Sequence, residues 1–262
     1  MTAAAKSVTA EAVLRRLEAQ GLSAAPEQAA SLAVYLEILA VWNRRVNLVG
    51  HAGWGEILDD LAADSLHLAA FLETPDVAGL FGPADGGPVC LDFGAGAGLP
   101  GIPLRILWGL GDYVLIEIRA KRAVFLSEAL ARLALPRTTV FSGRAEDAPG
   151  KVVPPERAGL VVCLSRAFLP WPKFLAFAAE HVGGLGRDYA VLTMTGDRPG
   201  DDPQAAAQAG FALFAEKGYR VLGKSRYVSL FSPMSSPRAL PLKMSRVAVS
   251  SASSARSISR SR

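Results

Sequence analysis

Three glycines, Gly94, Gly96 and Gly98, fall within five residues directly after the apolar run PVCLDF (88–93). Glycine serves where a backbone must turn with positive φ, or where a ligand must approach with no Cβ in the way. A turn of this kind at the carboxyl end of a strand lies at the crevice where doubly wound α/β folds bind ligands. The next apolar run, YVLIE (113–117), ends in Glu117, 23 residues beyond Gly94. An acid there is placed to accept both hydroxyls of an adenosine ribose.

The spacing narrows the choice of cofactor. A dinucleotide fingerprint, G-x-G-x-x-G, would put glycine at position 99. Leu99 stands there instead, and the glycines run G-x-G-x-G. Pro100 sits where a phosphate-binding helix would want a free N–H. A nucleoside with an amino-acid tail, S-adenosylmethionine, suits the loop better than a pyrophosphate. From these residues alone a methyltransferase is the first reading and an NAD(P) enzyme the second.

The elements that must position this loop follow from periodicity. Three helical patterns come first, at 9–20, 27–46 and 54–72. Thr9 is a good N-cap, and Leu32, Tyr35, Leu36 and Leu39 recur at three- and four-residue spacing. They predict a helical N-terminal cap over residues 1–78, closed by the turn-rich GLFGPADGGP (79–88). From there strands alternate with helices: 88–93, 113–117, 138–141, 159–165 and 189–194 as strands, with helices at 120–133 and 172–182 between them. A helix over AAAQAGFALF (205–214) and two β-like pieces, YRVLG and RYVSLF, complete the pattern. This rhythm means right-handed βαβ units. The expected fold is α/β, a doubly wound, mostly parallel sheet of the class I methyltransferase kind over residues 79–236.

The formal charge of +4 needs dividing. Of 28 basic residues against 24 acidic, six lie from Arg238 onward with no acid among them, leaving 22 against 24 before that point. The body is therefore mildly acidic, and 237–262 reads as a disordered basic Ser/Arg tail able to touch RNA phosphates or to stay solvated. Cys90 and Cys163 make neither a disulfide framework nor a zinc site and read as buried thiols, which points to the cytoplasm. The N-terminus has no signal-peptide core and no apolar run reaches membrane-helix length, so no membrane is expected. His51, His67 and His181 share no metal-ligand spacing, and no metal is expected. Asp59 and Asp60 read as solvated, and Lys121 and Arg122 as a solvated face or a basic rim. Trp108 and Trp171 read as packing residues, and Arg144 as part of an ion pair or a substrate contact.

Beyond single residues, the chain resembles a family. VWNRRVNLVG (41–50), DFGAGAGLPGIPL (92–104), IEIRAKRAVFL (116–126), SGRAEDA (142–148) and LSRAF (164–168) occur in the order and approximate spacing of the bacterial small-subunit rRNA guanine-N7 methyltransferases. These are also called the glucose-inhibited division protein B family. The similarity covers roughly residues 10–232. It implies methyl transfer from S-adenosylmethionine to N7 of a guanine in 16S ribosomal RNA, by a cytoplasmic monomer. By the same resemblance Gly94, Gly96, Gly98 and Leu99 wrap the methionine end of the cofactor. Glu117 holds the ribose, Ala145 and Glu146 border the adenine, and Arg166 faces cofactor and base as the catalytic residue. Trp42, Asn43 and Asn47 match the family's helical segment, where core or capping roles fit equally.

Three positions depart from the family pattern. Leu61 stands for a His, Val161 for an Asp that opens the strand, and Thr195 for the Lys of a Lys-Gly pair. The cofactor half is thus well kept, and the polar groups facing nucleic acid are thinned. Two further readings follow: a catalytically silent module that binds RNA or protein, and a small-molecule methyltransferase.

Overall fold

The computed structural model describes residues 8–81, 86–155 and 159–235. The tail expected at 237–262 lies outside the described residues. Among the described residues five α-helices precede the first strand: α1 (Ala10–Glu18), α2 (Pro26–Val46), α3 (Trp54–Ile57), α4 (Ala63–Leu72) and α5 (Pro75–Ala78). Thr9 caps α1 by accepting from the Ala12 N–H at 3.2 Å, and α2 starts on Pro26 and ends on left-handed Asn47.

Next come β1 (Val89–Phe93), α6 (Gly101–Leu107), β2 (Asp112–Glu117), α7 (Ala120–Leu133), β3 (Thr138–Ser142), α8 (Ala148–Val152), β4 (Val161–Arg166) and α9 (Trp171–His181). β5 (Tyr189–Thr195), α10 (Pro203–Gln208), β6 (Phe211–Val221) and β7 (Lys224–Pro233) follow. The seven strands lie in the order β3-β2-β1-β4-β5-β7-β6. Neighbours from β3 to β5 pair in parallel, and β7 runs antiparallel to both β5 and β6. β1 is buried at all five residues, as a central parallel strand with both faces covered must be.

One sheet face packs against the N-terminal helices together with α6 and α7, in a single core from Val13 and Leu36 to Leu126 and Leu230. The other packs against α8, α9 and α10, around Phe93, Phe174 and Phe231. The N-terminal helices thus share the core of the sheet. Cys90 and Cys163 are free and buried, and burial pushes the Cys90 thiol up to about 12. Among the described residues no helix is long and apolar enough to cross a membrane.

Two sequence expectations change. The third helix is not continuous, because Leu58–Ala62 is a π-helical turn between α3 and α4. The helix expected at 205–214 ends at Gln208; Gly210 takes φ +83 and Phe211 opens β6. A positive φ is cheap for glycine and stops a helix. YRVLG and RYVSLF are the inner ends of one long hairpin.

Candidate functional site

At the carboxyl end of β1 the chain turns through Gly94, Gly96 and Gly98, with φ of +73, +58 and +74. The Gly94 and Ala95 N–H groups both donate to the Ile116 carbonyl on β2, at 3.0 Å. The N-terminal helices hold the loop from the other side. The buried Tyr35 hydroxyl donates to the Ala97 carbonyl at 2.7 Å, and Ser65 donates to the Pro100 carbonyl at 3.1 Å.

The three glycines do different work. A Cβ on Gly98 would lie 2.5 Å from Ile102 and 3.1 Å from Leu126, so this glycine lets the loop close onto α6 and α7. A Cβ on Gly94 would meet the Phe168 ring at 3.0 Å. At Gly96 nothing comes nearer than 3.6 Å, where Arg122 Nη1 and the Gly94 carbonyl lie. Gly96 is therefore the one of the three where a Cβ would make only ordinary van der Waals contacts.

Glu117 lies beside it. The carboxylate is 5 % exposed. Oε2 accepts from the Gly96 N–H at 2.9 Å, and Oε1 accepts from the Arg119 N–H at 2.8 Å. Each carboxylate oxygen has two lone pairs, so both can accept again. Ile118, next in sequence, is 62 % exposed and presents an apolar surface at the same strand end. Ala145 and Glu146 follow β3; Ala145 is half-buried, and exposed Glu146 pairs with Arg144 at 3.5 Å. Leu99 is half-buried at the loop's far end. A nucleoside cofactor with an amino-acid tail asks this crevice for backbone without a Cβ and a carboxylate for the sugar. Gly96 and Glu117 provide both, so the residues present fit S-adenosylmethionine.

The carboxyl ends of β4 and β5 and the amino end of the reversed β7 form a second region, a cleft of about 650 Å³ lined by Asp64, Arg166, Phe168, Trp171, Thr195 and Arg226 among others. Ala167 takes φ +60, rare for a side chain larger than hydrogen. That turn lays Phe168 against Gly94, between the loop and the cleft. Trp171 stacks on Phe231 at 5.7 Å.

Arg166 is turned toward the N-terminal helices. Its guanidinium donates to the Leu61 carbonyl at 2.9 Å and pairs with Asp64 at 3.0 Å. Asp64 is 2 % exposed and also accepts from the Tyr219 hydroxyl at 3.0 Å and from Arg226 at 2.5 Å. Arg226 reaches Asp60 as well, and Asp60 accepts from His51 Nε2 at 2.7 Å. Burial alone would raise the Asp60 carboxyl, but His51 and Arg226 hold it below the usual carboxylate range. The π turn has a part in this, since the Asp60 and Leu61 carbonyls accept from the two arginines. Such turns free backbone acceptors and gather at functional sites.

The pair expected to be solvated is therefore committed. Asp59 binds Arg16 and Gln20, and Asp60 binds Arg226 and His51. Asp64, Tyr219 and Arg226 had been missed altogether. A lone acid in an apolar helix was the available signal for Asp64. His67 stacks on Tyr219 at 4.3 Å, and burial lowers its pKa. Asn43 caps the end of α2, accepting from the Val49 N–H and donating to the His51 carbonyl, both at 2.8 Å. Trp42 donates to Glu128 at 3.1 Å.

The family described as rRNA small subunit methyltransferase G matches residues 28–218. This chain belongs to that family. A ribosomal RNA small subunit methyltransferase G from Nitratidesulfovibrio vulgaris is 41 % identical over 217 residues, 83 % of this chain and 91 % of the relative. The Lawsonia intracellularis protein of the same name is 40 % identical over 179 residues, 68 % and 77 % of the two chains. Among solved structures the METTL16 MTase domain aligns with a TM-score of 0.50 at 12 % identity, over 78 % of this chain and 80 % of that one, a likeness of fold. This member of the family has a Rossmann-like sheet with β7 reversed, and its N-terminal helices brace the glycine loop.

Proposed function

We propose that this methyltransferase transfers a methyl group from S-adenosylmethionine to N7 of a guanine in 16S ribosomal RNA, acting as a cytoplasmic monomer. Family membership over most of the chain supports the reaction. The observation that carries the site is the buried Glu117 carboxylate bonded to the Gly96 N–H where β1 and β2 end. On this reading Glu117 accepts from the ribose hydroxyls, and Gly94, Gly96 and Leu99 border the amino-acid tail. Ala145, Glu146 and the exposed Ile118 border the adenine. Gly98 contributes by closing the loop.

When bound, S-adenosylmethionine supplies a methyl group on a sulfonium sulfur, ready for in-line attack. Guanine N7 carries an exposed lone pair and loses no proton, so the chain needs no general base. Its residues have to orient the base and exclude water, and orientation of this kind is worth on the order of 7–11 kcal/mol. Phe168 forms the wall between the two halves, over Gly94, where base and methyl group meet. Arg166, its position fixed by Asp64 and the Leu61 carbonyl, keeps further N–H donors for the substrate side. The cleft toward β7 receives the base.

The test is transfer of labelled methyl by purified protein to small-subunit rRNA from cells lacking the gene, with the product mapped as N7-methylguanine. Labelling at guanine N7, abolished by Arg166→Ala in a folded variant, is the expected result. Cofactor binding without any transfer would favour a silent binding module.

A further inference from the structure

The β6–β7 hairpin is longer than the sheet it belongs to. β5 pairs with β7 only as far as the rung Thr195–Tyr227. Beyond it β6 and β7 continue through Tyr219–Arg226, Arg220–Ser225 and Val221–Lys224. Three rungs at ~3.4 Å each carry the hairpin about 10 Å past the carboxyl edge of β5, on the side where the cleft opens. Two residues close it, Leu222 and Gly223, both with positive φ of 48 and 80, the backbone of a tight type I′ turn.

This projection is braced. Tyr219 and Val221 are buried, and Tyr219 is stacked on His67 and bonded to Asp64. Its outer surface carries charge of one sign. Lys217, Arg220, Lys224 and Arg226 occur between residues 217 and 233 without a single acid. Among the described residues Arg226 alone of the four is ion-paired. Arg220 and Lys224 are exposed, Leu222 between them is 63 % exposed, and Lys224 also lines the cleft.

Charge decides what this surface is for. The chain before Arg238 has 22 basic against 24 acidic residues, so the body as a whole does not attract a polyanion. Affinity for nucleic acid must come from local patches, and phosphate neutralisation supplies most of it. We propose that the overhanging tip is an RNA-backbone grip. Arg220 and Lys224 each neutralise a phosphate of the strand that delivers the target base, and Leu222 packs against the sugar-phosphate edge between them. The proposal rests on the rRNA reading above and names the surface that engages that substrate.

The experiment uses the full chain and an unmodified small-subunit rRNA transcript, with binding measured as salt is varied. The double substitution Arg220→Gln/Lys224→Gln should flatten the dependence of log K on log salt by about 1.4–1.8, from roughly 0.7–0.9 per phosphate contact. It should also raise KM for the transcript about tenfold. Arg132→Gln, an exposed cation on α7, should leave the slope alone, and S-adenosylmethionine affinity measures the integrity of the other half in each variant. An unchanged slope and KM in the double variant would overturn the grip. So would loss of binding to assembled particles with binding to naked transcript intact, which would assign the surface to a protein of the particle. If the parent protein neither binds nor methylates the transcript or the particle, the rRNA reading itself fails, and the variants are not needed to show it.

Discussion

Two ends of one crevice are built from different materials. Where β1 and β2 finish, the working groups are backbone: loop N–H and carbonyl groups tied to Ile116, Tyr35 and Ser65, with one carboxylate, Glu117, bonded to two N–H groups. Where β4 and β5 finish and β7 begins, the working groups are side chains: two arginines, two aspartates, a tyrosine and a histidine in one network. A backbone site needs small residues at fixed local spacing and tolerates little change. A side-chain network can be assembled from distant segments.

The contrast can be broken at its most expensive point. Asp64 compensates two arginines at 2 % exposure. Asp64→Ala should cost about 3–5 kcal/mol in urea unfolding, because removing one partner leaves buried charge unpaired. A loss under about 1 kcal/mol would mean that water replaces the carboxylate and that the network is superficial.

Asp92, beneath the glycine loop, tests the other half through pH. Burial lifts its carboxyl from 3.8 to about 7, although the Tyr113 hydroxyl donates to it at 3.1 Å. The folded chain then holds this proton more tightly than the unfolded chain. Its contribution to stability is complete below pH 3.8 and is lost as pH rises through about 7. Asp92→Asn removes that loss, so unfolding measured at pH 5 and pH 8 should show the variant gaining on its parent at the higher pH. The gain should be roughly 2–4 kcal/mol. Parallel pH profiles would contradict it.

The glycines sharpen the comparison further. Gly98→Ala places a methyl 2.5 Å from Ile102 and should lower stability by about 1–3 kcal/mol. Gly96→Ala meets nothing nearer than 3.6 Å, so its stability cost should be limited to about 1–2 kcal/mol for a side chain at positive φ, and calorimetry should show the larger loss in cofactor affinity. Equal effects on both quantities would erase the distinction between the two positions. The smallest effect belongs to the rim of the network. His51 pairs with Asp60 at 34 % side-chain exposure, and His51→Gln should change stability by less than about 1 kcal/mol in thermal unfolding.

What the sequence revealed divides along the same line. α7 was read to the residue and β1 to within one, since buried parallel strands are short apolar runs and α7 is amphipathic. The glycine loop and Glu117 were legible because their chemistry is local: a turn, and an acid at the end of the next strand. The network was not, since Asp64 and Arg226 are 162 residues apart and no short window contains both. Nor does periodicity reveal the π turn at Leu58–Ala62, because a single turn closed i→i+5 is too short to set a period of its own. Alanines made 205–214 look helical, and only Gly210 marked the change to a strand. Arg166 was placed correctly at the end of β4, but its direction depends on helices contributed from far upstream.

A crystal structure with S-adenosylmethionine bound tests the central claim most directly. The ribose hydroxyls should lie within about 3 Å of the Glu117 carboxylate, with the amino-acid tail passing Gly96. A cofactor seated in the β4–β7 cleft, or bound with Glu117 still satisfied only by its two backbone N–H groups, would contradict the account.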